Sequence, residues 1–151
     1  MQRAAPQPRH AYRWYRVIPT QWRDNDVYGH VNNAVHYTWF DTVVNGWLVA
    51  NGLLDIGGGA VAGLVVSSAC QYFGEAAFPD DIHCGLRVAR IGTTSITYEI
   101  GLFRNEAALS FAAGTFVHAY VDRESRRPVP LPAALRTAAG RLLAAGDGPQ
   151  P

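Results

Sequence analysis

With 151 residues the chain is long enough for one domain with a sizeable core. Its 13 basic and 12 acidic residues leave a net charge of +1, which excludes the strong field of a nucleic-acid or membrane-surface binder. No lysine occurs, so lysine-based catalysis is excluded too, and no apolar run approaches the ~20 residues of a membrane span.

Residues 1–10 contain Pro6, Pro8, Arg3 and Arg9 and read as a disordered N-terminal arm. Their start, Met-Gln-Arg-Ala-Ala-Pro-Gln-Pro, lacks the apolar centre of a secretion signal. The expectation is therefore a cytoplasmic protein, in which Cys70 and Cys84 are two buried thiols without metal-like spacing. Residues 12–21 alternate bulky and polar side chains around Trp14 and Tyr15, the pattern of a strand, and Pro19 assigns that strand to an edge or ends it early.

A helix is predicted over residues 33–50. Val35, Trp39, Val43 and Trp47 recur every four residues, with Phe40, Val44 and Leu48 beside them, so the apolar face is broad enough for a helix surrounded by protein. Asn32 is its predicted N-cap and Asn51-Gly52 its stop. Several β-branched residues and Gly46 lower its intrinsic propensity, so packing must stabilise it.

After Gly57-Gly58-Gly59, four strands are predicted near 61–73, 82–91, 94–103 and 107–121. The third is the clearest, with Ile96, Tyr98, Ile100 and Leu102 on one face and Ser95, Thr97, Glu99 and Gly101 on the other. Gly92-Thr93 and Arg104-Asn105-Glu106 read as hairpin connections. Pro128, Pro130 and Pro132 break the pattern before a short amphipathic helix over 133–145 and a loose tail to 151. The fold class is α+β: one antiparallel five-stranded sheet wrapped around one long central helix in a domain over 11–132, followed by the helix and tail of 133–151. The other face of such a sheet must be covered or shared with a second subunit, and the hydrophobic share of 48% leaves apolar surface for one.

The chemistry concentrates in Asp24-Asn25-Asp26-Val27-Tyr28-Gly29-His30-Val31-Asn32-Asn33, between the first strand and the helix. This order puts a carboxylate beside the start of a buried helix, where backbone N–H groups lack partners. Asp24 fits a turn or capping role. Asp26 fits either that role or a hydrolytic one. His30 either holds the loop together by hydrogen bonding or moves a proton. His36, His83 and His118 do not converge with any Asp or Glu at a ligand spacing, so no metal is expected, and the triple glycine lacks the lysine and flanking elements of a phosphate-binding loop.

This string, with His36-Tyr37 and Asp41 on the following helix, resembles the hot-dog-fold acyl-CoA thioesterases, in particular the family of 4-hydroxybenzoyl-CoA thioesterase. The element order is similar over residues 12–130, and the string is also similar to a segment of the plant acyl-acyl-carrier-protein thioesterases. The resemblance implies a cofactor-free hydrolase of acyl-CoA thioesters. It further implies a homodimer whose sheets join edge to edge, often paired into a tetramer, with active sites at the subunit interface. By the same resemblance Asp26 is the catalytic carboxylate and the amide of Asn33 polarises the thioester carbonyl, while Glu75 is a reserve carboxylate. The hydroxybenzoyl-CoA enzymes carry aromatic residues where this chain has Asn32 and Asn33.

Coenzyme A carries phosphates, for which Arg87 and Arg90, or Arg123, Arg126 and Arg127, are candidate ligands. Asp41 is a candidate for lining the acyl pocket, with a salt bridge as its plainer role. The alternatives to acyl-CoA hydrolysis are an acyl-acyl-carrier-protein thioesterase, an enoyl hydratase on the same fold, and a non-catalytic acyl-CoA-binding hot-dog protein.

Overall fold

The protein is described over residues 4–144 in a computed structural model. In chain order it forms β1 (Trp14–Pro19), α1 (Val35–Ala50), β2 (Val61–Tyr72), β3 (Asp81–Ile91), β4 (Ser95–Arg104), β5 (Ala112–Asp122) and α2 (Ala133–Arg141), with short 3-10 turns at Arg9–Ala11 and Trp22–Asp24. The strands make one antiparallel sheet in the order β1-β3-β4-β5-β2.

Binary pattern accounts for most of this. The alternating Ile96, Tyr98, Ile100 and Leu102 are fully buried on β4, the middle strand, and face Trp39, Phe40, Val43, Val44, Trp47 and Leu48 of α1. Gly114 lets α1 lie close to the sheet, because a Cβ there would overlap the Phe40 ring. β1, which carries Pro19 as its last residue, is an edge strand paired only with β3.

The expectation of a single helix under the sheet is corrected. α1 is 16 residues long, and the 9-residue α2 shares the core with it through Leu135, Ala138 and Ala139. α2 packs on β3. It ends at Arg141, short of the predicted 145, and the tail lies outside the described residues.

Part of the predicted N-terminal arm is ordered. Gln7 exchanges two hydrogen bonds with Ser110, Pro8 bridges Leu109, and Arg9 Nε donates to the Ala107 carbonyl. This segment therefore occupies the edge that the predicted strand 107–121 would have used at its start, and β5 begins at Ala112 instead. The Tyr12 ring then covers Gly85 and Gly101, where any Cβ would overlap it. Of the two thiols expected to be buried, Cys84 is and Cys70 is only half-buried, since β2 lies at the open edge. No helix among the described residues is long and apolar enough to cross a membrane.

Candidate active site

The segment between β1 and α1 closes on itself. Asp24 Oδ2 accepts the Gln21 N–H at 2.7 Å, and the Asp24 carbonyl accepts the Asn32 N–H at 2.9 Å. Asp26 N–H donates to the His30 carbonyl at 3.0 Å, and Gly29, at φ +83°, returns its N–H to the Asp26 carbonyl at 3.2 Å. The positive φ explains the glycine, since a side chain there is strained. Asp26 Oδ1 accepts the Tyr28 N–H at 2.8 Å, an Asx turn that orients the half-buried carboxylate through one oxygen.

The same loop is sewn to the residues after β2. Val31 N–H donates to the Ala76 carbonyl at 2.7 Å, and Phe78 N–H donates to Asn25 Oδ1 at 3.0 Å. Asn32, the predicted N-cap, does not hold that place: α1 is capped by Ala34 without a side-chain bond, and Asn32 instead makes the turn before it, its Oδ1 accepting the Ala34 N–H at 2.9 Å and its carbonyl the Val35 N–H at 3.0 Å. The helix proper starts at Val35, two residues later than predicted. Before these paired amides, the Asn33 N–H has no acceptor among the described residues. The Asn33 carbonyl, in contrast, accepts from both His36 Nδ1 (3.0 Å) and the Tyr72 hydroxyl (2.8 Å).

A cleft of about 330 Å³ opens beside this helix start, lined by His30, His36, Tyr72, Gly74 and Glu75 among others. His30 Nδ1 lies 3.1 Å from the Val31 carbonyl, and its Nε2 lies 3.7 Å from Glu75 Oε1. The Val31 carbonyl, with Glu75 and Asp26 adding to it, raises the proton affinity of His30 above the ordinary histidine value. Burial lowers that of His36. The cleft thus carries two histidines of opposite tendency and the Glu75 carboxylate.

The structure brings His30 and Glu75 together in the cleft, with Asp26 close enough in the adjoining loop to act on His30; Asn33 stands at the helix start beside His36 and is not among the cleft's lining. The structure does not bring Arg87, Arg90 or Asp41 to them. Arg87 Nε donates to Glu99 Oε2 at 2.7 Å, and its guanidinium stacks 4.9 Å from the Tyr12 ring centre. With Glu99 it lines a hollow of about 300 Å³ on the sheet face opposite α1. Its charge is thus paired within the fold, away from the cleft. Arg90 is exposed near the end of β3. Asp41 is exposed and accepts from Asn45 Nδ2 at 3.0 Å in a groove with Arg16 and Gly46 rather than in the cleft. Sequence reasoning named His36 in the matching string but gave it no role in the site, and it did not single out Tyr72; nothing in the sequence pairs the two residues.

Residues 20–139 match the thioesterase-like superfamily, and the chain belongs to it. Among solved structures it is similar to the PA5185 protein of Pseudomonas aeruginosa strain PAO1, at 50% identity and a TM-score of 0.91 over 93% of this chain and 99% of that one. It is also similar to a thioesterase-superfamily protein from Jannaschia sp. CCS1, at 23% identity and a TM-score of 0.78 over 93% and 97% of the two chains. A third is Slr0204, a 1,4-dihydroxy-2-naphthoyl-CoA thioesterase from Synechocystis, at 20% identity and a TM-score of 0.77 over 89% and 98%. A search of curated proteins finds no match.

Proposed function

We propose that this protein hydrolyses acyl-CoA thioesters to free acid and CoA, with Asp26 as its carboxylate and the Asn33 N–H as oxyanion donor. The observation that carries this reading is an Asn33 N–H without an acceptor among the described residues, seven residues beyond a carboxylate held in a closed loop, next to a helix start whose His36 lines a cleft with His30 and Glu75. Membership of the thioesterase-like superfamily supports the reaction class.

Asp26 acts in one of two ways. Its free oxygen adds to the thioester carbonyl, expels the CoA thiolate and leaves a mixed anhydride that water cleaves. Alternatively it takes a proton from a water that adds to the same carbon. In both, negative charge grows on the carbonyl oxygen. A single aimed amide is worth about 3 kcal/mol there, and the positive end of α1 reinforces it. His30, whose proton affinity is raised by the Val31 carbonyl and by Glu75 and Asp26, is the group placed to protonate the departing thiolate.

β2 reaches the cleft at its last residue, Tyr72, and its free edge exposes Leu64, Val65 and Val66. A long edge strand with exposed apolar residues favours pairing with another chain, which supports a homodimer joined through β2, with a dimer of dimers as its further assembly.

The test is free-thiol release from short, long and aromatic acyl-CoAs, with acyl carrier protein bearing the same acyl groups as the rival donor. Turnover of at least one acyl-CoA, lost in Asp26→Asn, is the expected result. Turnover confined to the carrier-protein donor points to the rival enzyme. No turnover in any arm leaves only a binding role.

A further inference from the structure

Asn33 lies where the chain turns into α1, and its carbonyl oxygen would, in a longer helix, accept the N–H of Tyr37 four residues on. Here Tyr37 N–H goes to the Ala34 carbonyl at 3.3 Å instead. Two side chains replace it on Asn33: the imidazole of His36 through Nδ1 and the phenol of Tyr72. A carbonyl only accepts, so His36 Nδ1 carries the hydrogen and the tautomer is fixed.

Both donors are themselves held. His36 is 4% exposed, and its ring centre lies 4.8 Å from Tyr72, 5.2 Å from Trp39 and 5.9 Å from Phe111. Tyr72 is the last residue of β2, so the clamp ties the helix start to the sheet across 39 residues of sequence. With the Asn32 carbonyl held by the Val35 N–H but the Asn33 carbonyl bonded only to water, the backbone at Asn33 would keep freedom on its C-terminal side. An oxyanion donor works only when its direction is set before the charge develops.

We propose that His36 and Tyr72 are positioning residues: by clamping the Asn33 carbonyl from two sides they fix the Asn33–Ala34 peptide, which, with the Asn32–Asn33 peptide already held by the Val35 N–H, locks the backbone of Asn33 and so the direction of its N–H. Neither touches the reacting atoms; each acts through Asn33. The proposal rests on the thioesterase reading above and assigns to that site two residues outside the acidic loop.

The test uses full-length Tyr72→Phe, which removes one donor and keeps the ring, together with His36→Phe and His36→Gln. Steady-state thioester hydrolysis is read alongside the amide spectrum of the ¹⁵N-labelled proteins, with thermal unfolding and oligomeric state as controls. Expected is a roughly tenfold loss of kcat in Tyr72→Phe, the rate equivalent of one modest hydrogen bond, with KM within about twofold. His36→Gln, which retains an N–H, recovers part of the loss seen in His36→Phe. The Ala34 amide, on the same peptide as the Asn33 carbonyl, shifts in Tyr72→Phe. An unmoved Ala34 resonance, or unchanged kcat in a folded Tyr72→Phe, overturns the clamp while leaving the thioesterase reading intact. A wild-type protein that hydrolyses none of the thioesters overturns that reading, and the clamp's catalytic role with it.

Discussion

His30 and His36 line one cleft six residues apart, yet their surroundings pull their protons in opposite directions. His30 meets the Val31 carbonyl first, then Glu75 and Asp26, all of which favour its charged form. His36 is enclosed by Trp39, Tyr72 and Phe111, and burial favours its neutral form. The neutral ring of His36 suits its hydrogen bond to the Asn33 carbonyl, so of the two only His30 is a candidate to move a proton. Glu75→Gln removes one of the groups holding the proton on His30. The upper limb of the kcat/KM profile should therefore move to lower pH, while Asp26→Asn lowers the whole profile. An upper limb unmoved in Glu75→Gln removes His30 from the proton inventory.

Asp26→Asn preserves the turn, because the amide oxygen still accepts the Tyr28 N–H that Oδ1 now takes. The loss should fall on turnover alone. Thiol release should drop at least about a hundredfold, with a thermal midpoint within a few degrees of wild type. Asp26→Ala should lose both activity and some stability, since the turn goes with the carboxylate.

Acid should destabilise the fold through its buried histidines. His118, 2% exposed on β5, has its pKa pushed down by burial to about 4, partly opposed by Asp41, and its Nδ1 has no partner among the described residues. His36 shifts in the same direction. A base whose folded pKa is lowered contributes stability that is complete above the unfolded value near 6.5 and is lost as pH falls through the folded value. His30, raised, has the opposite sign: its contribution is complete below about 6.5 and is lost as pH rises through its folded value. For His118 alone the loss between pH 6.5 and 4 is on the order of 3 kcal/mol. Urea unfolding across that range should show it, and His118→Phe should flatten the slope.

Gly114→Ala should destabilise by about 1–3 kcal/mol. The added methyl meets the buried Phe40 ring and the Ala69 carbonyl, and neither can move without displacing α1 or β2. A urea midpoint unchanged by this substitution would mean that α1 does not pack as closely on β5 as described.

Val66, 62% exposed at the bulge in β2, tests the proposed dimer. A charge there interferes with edge pairing, so Val66→Arg should halve the mass measured by light scattering and reduce turnover with it. An unchanged mass argues against β2 as the joining edge.

Periodicity in the sequence was enough to specify the helix and strands, because Val35, Trp39, Val43 and Trp47 repeat with a helical period and Ile96, Tyr98, Ile100 and Leu102 with a strand period. The acidic loop was also legible, since Asp, Gly and Asn have local turn and capping preferences that need no distant partner. Contacts between residues far apart in sequence were decided only by tertiary structure. Arg87 looked free until the β3–β4 register set it opposite Glu99. Gln7 looked disordered until Ser110 met it, and Tyr72 became part of the site only when the end of β2 reached the helix start. Local backbone preference is written residue by residue, whereas strand register and the meeting of remote side chains depend on how the whole core closes.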